Sequence, residues 1–384
     1  MSVKQTARIL STYAGDTSGV CSALFELGGM TVMHDASGCN STYNTHDEPR
    51  WYDRDSLVFI SALTETEAIL GDDRKLIDDT VRAVRDLCPA FVALAGTPIP
   101  MMTGVDFDAV AREIEEECGI PAFGFDTDGM QAYTSGASKA FAALAHRLVR
   151  AQGRQPGALS VNLLGLTPLD FSVNGTENTM RRVLEESGIA TVSAWAMGST
   201  LEEIMDASRA HVNLVVSSSG LGAAKVLRER FGIPAVIGTP CGRRFNEVLV
   251  DAIRQSAEDG EDRVLPVCDP AAKRIVIGEG ITAASLAAAL CAETGIPTRA
   301  ICATDGFAEL RAMQVPQATD EDDLIPLLEG AEIVIADPLY RPIVPESARF
   351  VPLPHEGFSG RIWRRDIPDL AEDLTGFMKE NDLI

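Results

Sequence analysis

The chain has 384 residues and a formal net charge of -23 at pH 7, which argues against nucleic acid or an anionic membrane surface as a partner. Its length suggests two or three α/β units. Residues 1–15 lack the charged start and apolar run of a secretory signal, and no segment approaches the roughly 20 apolar residues of a membrane span. We therefore expect a cytoplasmic protein, whose 8 scattered cysteines are reduced thiols or metal ligands.

Two glycine-rich polar turns near the N-terminus each end in a cysteine. Residues 15–21 read GDTSGVC and residues 34–39 read HDASGC, so the cysteines are Cys21 and Cys39. One of the three polar residues at positions 16–18 is expected to cap a helix that begins beside Cys21, where the helix N-terminus would stabilise a thiolate. Small neighbours, Gly19 and Gly38 among them, leave room for an inorganic cluster. From the residues alone, two buried structural thiols are the alternative.

Short apolar runs farther along the chain predict β-strands that alternate with helices. The candidate strands are residues 90–95, 161–166, 212–217, 235–238, 274–278 and 333–336. The phrase Gly-Ile-Pro, or Gly-Ile alone, recurs at residues 119–121, 188–189, 232–234 and 295–297 after charged helical patterns, and each occurrence predicts a helix end. Strands and helices in this rhythm indicate βαβ units and parallel sheets.

Polar stretches at residues 150–157 and 256–273 are interpreted as joints between domains. The prediction is an α/β fold of three Rossmann-like units with parallel sheets flanked by helices, over residues 1–155, 156–268 and 269–384. The first unit would bind the cluster. Gly278-Glu279-Gly280 is the nearest approach to a dinucleotide fingerprint, and it lacks the third glycine. A P-loop is also absent from the sequence, so any ATP hydrolysis requires another chain.

The N-terminal segment resembles the nitrogenase component 1 family. The family opens a helix with a first cysteine and follows it with a His-Gly-Pro-x-Gly-Cys-like turn, which is similar to residues 34–39 here. Residues 64–76 (TETEAILGDDRKL) are similar to the acidic stretch and Phe-Gly-Gly-x-x-Lys-Leu of the family, and the closing residues 355–360 (HEGFSG) also agree. The resemblance implies the three-unit fold and Cys21 and Cys39 as ligands of an iron–sulfur cluster.

Two departures from the family pattern limit what the resemblance implies. Thr97 stands where larger members carry a third cysteine, so the eight-iron cluster of true nitrogenase is not expected. Residues 213–218 (NLVVSS) lack the cysteine that holds the molybdenum cofactor in the nitrogenase α subunit, so dinitrogen reduction is not expected. Two cysteines per chain instead suggest one [4Fe–4S] cluster that bridges a homodimer. A heterodimer, with Asp16 or an unseen partner supplying a ligand, is the alternative, and Asp16 is also a plausible N-cap.

Three histidines are candidate proton donors during reduction: His34 and His46, which bracket Cys39, and His355 in the closing glycine-rich turn. For each of them, a hydrogen-bonding scaffold role is the favoured alternative. Cys241 lies in a small turn where two neighbouring arginines could lower its pKa. A late group of arginines, Arg341, Arg361, Arg364 and Arg365, suggests either a carboxylate clamp or a solvated face.

Three functional hypotheses follow. The leading one is the catalytic component of a nitrogenase-like two-component reductase, which receives electrons from an ATP-dependent iron–sulfur reductase protein and reduces a small molecule. By resemblance, tetrapyrroles and sulfur-containing small molecules are candidate substrate classes. The second is a non-catalytic scaffold or maturation protein for metal clusters. The third is a cluster-free binder of small molecules.

Overall fold

The structure is a computed structural model that describes residues 7–36, 38, 40, 42–152 and 157–384, with the backbone alone at positions 44 and 45. Within these residues the chain forms three parallel β-sheets with helices packed on them, which confirms the predicted α/β fold class. Cys39 lies outside the described residues. No helix of the described residues is long and apolar enough to cross a membrane.

The first sheet holds four strands in the order β2-β1-β3-β4, and all neighbours run parallel. The strands are β1 (Met30–Met33), β2 (Leu57–Ile60), β3 (Val92–Ala95) and β4 (Ala122–Phe125). The helices are α1 (Asp16–Leu24), α2 (Glu65–Leu70), α3 (Arg74–Leu87), α4 (Pro98–Thr103), α5 (Phe107–Cys118) and α6 (Tyr133–Arg147), with a π-helical turn at Tyr43–Asp47. Because the strands are parallel, the loops after all four leave one edge of the sheet.

The second sheet has the order β6-β5-β7-β8-β9 and is also parallel. Its strands are β5 (Ser160–Leu164), β6 (Ala190–Ala194), β7 (Val212–Val215), β8 (Ala235–Ile237) and β9 (Arg263–Val264). Its helices are α7 (Pro168–Phe171), α8 (Thr176–Glu186), α9 (Leu201–Met205), α10 (Leu221–Phe231) and α11 (Arg243–Asp259), with 3₁₀ turns at Ala207–Arg209 and Ser218–Gly220.

The third sheet has the order β11-β10-β12-β13, again parallel. Its strands are β10 (Arg274–Gly278), β11 (Thr298–Cys302), β12 (Ile333–Ala336) and β13 (Arg349–Pro352). Its helices are α12 (Gly280–Thr294), α13 (Leu310–Met313), α14 (Glu321–Leu327), α15 (Glu356–Ser359) and α16 (Leu370–Glu380), with 3₁₀ turns at Pro338–Ile343 and Gly360–Asp366. The division of the chain into units at residues 155/156 and 268/269 stays a prediction.

Helix ends follow the recurring glycines. Gly119, Gly232 and Gly295 are the C-caps of α5, α10 and α12, with φ angles of 71°, 69° and 71°. A side chain is strained at such positive φ values, which is why glycine ends these helices. Gly188, with φ of 77°, follows the C-cap of α8 by one residue. The three Gly-Ile-Pro helix ends are therefore confirmed.

Buried contacts join the sheets into a continuous interior. Phe141 of α6 packs edge to face against Trp195, just after β6, with ring centroids 5.7 Å apart. The residues at the N-terminus reach the third sheet's side of the molecule, where Thr12 N–H donates to Phe358 O at 3.1 Å. The same buried cluster that holds Trp195 also includes Ile281 of α12. The loops at the strand ends of different sheets are thereby held close to one another.

Two predictions of local structure were wrong. Helix α1 begins at Asp16 rather than beside Cys21, because the backbone of the glycine-rich segment packs against α6. The stretch at residues 256–273 is not simply a joint, since α11 continues to Asp259 and β9 adds a strand to the second sheet. Residues 256–264 are polar because they form the exposed end of α11 and the edge strand β9.

Candidate functional site

Cys21 lies inside the fold, in the second turn of α1. Its side chain is fully buried in a small cluster with Phe25, Met33 and Tyr43. Burial raises the pKa of its thiol far above the ordinary value, and the nearby Glu48 and Asp47 carboxylates raise it further. The expectation that α1 begins beside Cys21 and stabilises its thiolate there is wrong, because α1 begins at Asp16 and Cys21 is its sixth residue. A thiolate at Cys21 requires a cation such as an iron ion beside it.

Hydrogen bonds from threonine hydroxyls fix the turn after β3, where Thr97 stands in place of the third cysteine of larger family members. Thr97 is fully buried and its Oγ1 donates to the His34 carbonyl oxygen at 2.8 Å. Two further hydroxyls, Thr17 Oγ1 and Thr127 Oγ1, donate to the Gly96 carbonyl oxygen at 2.7 and 2.8 Å. These bonds tie the turn after β3 to α1, to the end of β1 and to the loop after β4.

Asp16 is fully buried at the start of α1 and holds backbone groups of the loop after β4. Its carboxylate accepts hydrogen bonds from Gly129 N at 2.8 Å and from Asp128 N at 3.3 Å. Burial raises the pKa of this carboxyl, and the two backbone donors oppose that rise. The contacts of Asp16 are thus those of a residue that positions a loop.

A buried ion-pair network fixes the segment after the π-helical turn. Arg50 is 3% exposed and makes a bidentate contact with Glu48, with both N–O distances 2.7 Å. It also pairs with Glu26 at 3.1 Å and donates to the Ala196 carbonyl oxygen of the second unit at 2.9 Å. Because Arg50 also donates to the Ser22 carbonyl oxygen at 2.8 Å, the network links the segment after the π-helical turn to α1 and to the loop after β6.

His34 and His46 occupy different surroundings on the same edge of the first sheet. His34 is buried, and its Nδ1 lies 2.8 Å from Ser61 Oγ. Burial lowers the pKa of His34 to about 4, so its ring is neutral near pH 7. His46 is exposed on the π-helical turn. Proton donation by either histidine stays a prediction.

Of the two glycines predicted to lie beside the cluster, Gly19 is buried and Gly38 is exposed. Gly19 faces α6, where an added Cβ would overlap the Tyr133 carbonyl oxygen. Gly38 is exposed, and no described atom lies within 4 Å of the position an added Cβ would take. Gly19 thus permits close packing of α1 on α6, and cluster contact by Gly19 and Gly38 stays a prediction.

A cavity of about 110 Å³ lies between the second and third sheets, at the carboxyl ends of β8, β10 and β13. Ligands commonly bind at such strand ends in α/β proteins. Its polar lining includes Asp170, Thr239, Cys241, Thr282 and His355. The rest of the lining is mainly apolar.

Asp170 of α7 is the titratable residue of this cavity with the most perturbed environment. Burial raises the pKa of Asp170 to about 7, and the nearby Glu279 carboxylate contributes to the rise. Tyr13 OH donates a short hydrogen bond to Oδ1, and Thr167 Oγ1 donates to Oδ2 at 2.7 Å. A carboxyl group with this pKa can give and regain a proton near pH 7.

His355 is the predicted site residue that the structure places in the cavity. It precedes α15, where its Nδ1 accepts a hydrogen bond from Gly357 N at 3.1 Å. Its Nε2 is shielded from solvent and has no hydrogen-bond partner among the described residues. Burial lowers the pKa of the ring to about 4, so His355 is neutral near pH 7. Proton donation by His355 stays a prediction.

Cys241 and the late arginines behave differently from the predictions. Burial raises the pKa of Cys241 to about 12, and the nearby Asp369 and Glu293 carboxylates contribute to the rise. Its neighbours Arg243 and Arg244 pair with Glu247 and Glu293. Arg364 binds the buried Glu356 at 2.8 Å, and Arg341 stacks on Phe350. Among the described residues that line the cavity there is no arginine, so these residues do not form a clamp there.

Sequence reasoning missed Asp170, Tyr13 and Glu279. Asp170 follows a predicted strand, at the edge where α/β proteins bind ligands, so its position was a usable signal. Tyr13 and Glu279 lie 157 positions before and 109 positions after Asp170, and no short motif links them. Cys21 is not brought to this cavity, because its side chain is buried among those of the first unit.

Comparison with known proteins identifies the family. Residues 18–314 match the family described as Nitrogenase component 1 type Oxidoreductase. The nitrogenase molybdenum-iron protein alpha chain of Clostridium pasteurianum is 25% identical over 205 residues, which are 53% of this chain and 36% of that protein. The nitrogenase iron-molybdenum cofactor biosynthesis protein NifE of Sinorhizobium fredii is 24% identical over 204 residues, 52% of this chain and 40% of that protein.

A third relative is more similar over a shorter segment. A chain of the light-independent protochlorophyllide reductase of Prosthecochloris aestuarii is 36% identical over 116 residues, 29% of this chain and 21% of that protein. The chain matches less than half the length of each of these curated relatives. The solved structure "Nitrogenase Cp1 at pH 6.5" aligns over 100% of this chain and 95% of its own chain, with a TM-score of 0.68 and 16% sequence identity. At this identity the similarity is one of fold. Since the family match spans most of its residues, this chain is a member of the nitrogenase component 1 type oxidoreductase family.

Proposed function

We propose that this chain is the catalytic component of a cytoplasmic, nitrogenase-like two-component reductase. In this proposal a homodimer holds one bridging [4Fe–4S] cluster on Cys21 and Cys39 of both chains. It takes electrons from an ATP-dependent iron–sulfur reductase protein and reduces a small molecule other than dinitrogen. The observation that carries the proposal is a buried thiol, Cys21, combined in one chain with a separate cavity lined by the buried carboxyl of Asp170, whose pKa is raised to about 7.

The donor chemistry of Cys21 agrees with an iron–sulfur cluster, since thiolates are the preferred ligands of a cubane. Among the described residues, no three His, Cys, Asp or Glu side chains come together as a metal site. In this proposal the further ligands are Cys39 and the same two cysteines of the second chain. Phe25 and Tyr43 pack around Cys21, so we expect the Tyr43 side chain to move when the cluster binds. When bound, the cluster would supply single electrons for the reduction.

An exposed apolar surface supports the homodimer. Helices α2 and α4 and the loop after β4 carry a set of exposed apolar side chains: Ile69 (75% exposed), Leu70 (71%), Met101 (58%), Met102 (86%) and Met130 (81%). These segments follow β2, β3 and β4, so they leave the same edge of the first sheet as the loop that carries Cys39. Large exposed apolar surfaces of this kind commonly mark protein interfaces.

The residues of the cavity provide the protons that a reduction consumes. Asp170 is about half protonated near pH 7 and keeps two hydroxyl donors, Tyr13 OH and Thr167 Oγ1. After it gives up a proton, these two donors stabilise the carboxylate. In this proposal Asp170, which lines the cavity, supplies the proton to a bound substrate.

The rival function is a scaffold that hands on metal clusters, which the likeness to NifE favours. Electron turnover separates the two functions. The protein would be purified without oxygen, then reduced with dithionite and reoxidised with a dye over repeated cycles, with an iron-free acceptor protein present. We expect the iron to stay on this chain while its electron paramagnetic resonance signal cycles. Transfer of the iron to the acceptor protein would establish the scaffold and overturn the reductase.

A further inference from the structure

We propose that two copies of this chain pair through the edges of their first sheets, with β2 of one copy antiparallel to β2 of the other and Phe59 on the twofold axis. The pairing would join the two first sheets into one continuous sheet. The inference names the surface that forms the proposed homodimer and in that respect rests on the proposed function. The pairing itself requires no cluster.

Strand β2 has backbone hydrogen-bonding groups that no other strand uses. It lies at the edge of the first sheet, and among the described residues its only strand partner is β1. The N–H of Ser61, one residue after β2, donates to the Met33 carbonyl oxygen of β1 at 3.0 Å. Because the backbone groups of successive residues point to opposite sides of a strand, Phe59 also bonds to β1, whereas Val58 and Ile60 direct their N–H and C=O groups outward.

The composition of β2 leaves this edge unprotected. The residues Leu57–Ile60 are all apolar, and the Phe59 side chain is 41% exposed. At the opposite edge of the same sheet, Arg147 of α6 donates to the Ala122 carbonyl oxygen of β4, and the edge strands β9, β11 and β13 each contain an arginine. Such cations keep an exposed edge from pairing with another chain. An apolar edge without them is suited to pairing.

A second copy of the chain is the occupant that fits this edge. The formal net charge of -23 makes two copies repel each other over most of their surfaces, whereas β2 has no charged residue. The exposed apolar side chains Ile69 and Leu70 of α2 lie shortly after β2 and extend the uncharged surface. Close approach of two copies therefore costs least electrostatic free energy at this edge.

One register uses the outward groups of β2 fully. With Phe59 opposite Phe59 of the second copy, Val58 of each chain faces Ile60 of the other, and each such pair exchanges both of its backbone hydrogen bonds. A register centred on Val58 or on Ile60 would, among the residues of β2, pair only that residue with itself. The central Phe59 pair is then of the non-hydrogen-bonded kind, with Cα atoms about 4.5 Å apart and the two exposed rings in contact.

The same edge lies beside the buried thiol of the first unit. Val58 and Ile60 pack against the small cluster that contains Cys21. Pairing of the two β2 strands would therefore place Cys21 of both chains next to one interface. A cluster shared between two chains requires this arrangement, so edge pairing and the bridging cluster are compatible with a single twofold axis.

Disulfide cross-linking tests the pairing. Protein purified without oxygen would be treated with diamide, which oxidises two thiols to one disulfide, and the dimer would be followed on a non-reducing gel. The Cα separation expected at the axis permits a disulfide, so Phe59→Cys should cross-link at least about 10-fold faster than Leu57→Cys. Leu57 lies on the same face of β2, but its two copies would be roughly 14 Å apart, which is too far for a disulfide. The natural chain, with Cys88 exposed, gives the background.

Phe59→Lys tests the same contact by a change of charge. Two lysines opposite each other at the axis would repel, so we expect the dissociation constant of the dimer at low salt to rise at least about 10-fold. Sedimentation equilibrium measures this constant. Val248→Lys, at a 53% exposed position of α11, is the matched control and should leave it unchanged.

A monomeric natural chain, or equal cross-linking of Phe59→Cys and Leu57→Cys, would overturn the inference. If circular dichroism shows that Phe59→Lys does not fold, the two cross-linking rates decide. The iron content of each sample separates this inference from the proposed function. A dimer that holds iron and does not cross-link through Phe59→Cys refutes the edge pairing alone. A dimer that cross-links at this position and never holds iron refutes the shared cluster alone.

Discussion

Asp170 combines burial with hydrogen bonds that suit its ionised form. Burial and the Glu279 carboxylate raise its pKa, while Tyr13 and Thr167 oppose the rise, and the result is a pKa of about 7. A carboxyl that is half ionised near neutral pH is unusual outside functional sites. The residue therefore has a measurable effect on the stability of the chain as well as a proposed role in proton transfer.

Compared with the natural chain, the Asp170→Asn variant should gain stability against unfolding as the pH rises. The pKa of Asp170 is about 7 in the folded chain against an ordinary value of 3.8, so the folded state binds more protons between these values. Ionisation of Asp170 therefore lowers the free energy of unfolding of the natural chain. This loss is absent below about pH 4 and complete above about pH 7. We expect the free energy of unfolding of the variant, relative to the natural chain, to rise by about 2–4 kcal/mol from pH 4 to pH 8.

Urea unfolding at several pH values between these limits measures the effect of Asp170→Asn. The exposed Asp55→Asn variant is the control and should show no comparable trend. A difference between Asp170→Asn and the natural chain that stays constant with pH would contradict the high pKa of Asp170.

At the scale of elements, α1 and α6 form the contact that positions Cys21. Every residue of α1 is buried, and glycines on both helices face the partner backbone. An added Cβ at Gly136 would overlap the Asp16 carbonyl oxygen, and one at Gly19 would overlap the Tyr133 carbonyl oxygen. The two helices can approach this closely only because neither position has a side chain.

Gly136→Ala should destabilise the chain, although alanine is the better helix former by about 1 kcal/mol. The new methyl group must push α1 away from α6, which costs about 1–3 kcal/mol and more if α1 cannot move. Chemical denaturation measures the change, with Gly38→Ala as a matched substitution at a position where no described atom is within 4 Å of the added Cβ. A stabilised Gly136→Ala variant would show that the helices are not in such close contact.

The segment after the π-helical turn depends on Arg50. Its guanidinium is buried and contacts the Glu48 and Glu26 carboxylates, as well as backbone oxygens of α1 and of the second unit. These acids raise the pKa of Arg50 even though burial alone would lower it. The side chain is therefore permanently charged and serves as the link between the two units.

Arg50→Met should cost about 3–5 kcal/mol of unfolding free energy, because it leaves the buried Glu48 carboxylate without its cation. Glu26 would keep its second cation, Arg54, at 2.8 Å. The comparison is Arg82→Met, since Arg82 is 72% exposed at its side chain and pairs with Asp79 at 3.4 Å. An exposed pair of this kind contributes little, so this control should unfold like the natural chain. Equal stability of the two variants would show that the Arg50 network is not the link described.

In the whole molecule, the predicted apolar runs correspond to six of the thirteen strands of the described residues, β3, β5, β7, β8, β10 and β12, and their alternation with helices was enough to predict the α/β class. Strands β10 and β12 match their predicted bounds, because both are continuous apolar runs buried on two faces. Seven strands of the described residues were missed: β1, β2, β4, β6, β9, β11 and β13. In β6, for example, the residues are small or polar and the first three are not buried. The start of α1 was misplaced because contacts with α6, which lies more than 100 residues away, decide whether a glycine-rich segment is helical.

The candidate site was predictable only where its chemistry is local. Cys21, Cys39 and His355 belong to short motifs that the sequence displays directly. The cavity is assembled from distant parts of the chain, where Tyr13, Asp170, Glu279 and His355 are brought together by the packing of the sheets. The pKa values of its residues depend on that packing, so the neutral His355 and the high pKa of Asp170 could not be inferred from the motifs.

The central claim is that Cys21 and Cys39 share one cluster between two chains. Iron and sulfide would be counted in protein purified without oxygen, alongside Cys21→Ala, Cys39→Ala and the exposed-cysteine control Cys88→Ala. The account predicts about four irons and four sulfides per dimer in the natural chain and in Cys88→Ala, and loss of both in either of the other variants. A natural chain that stays colourless after cluster reconstitution, or full iron in Cys21→Ala, would contradict it.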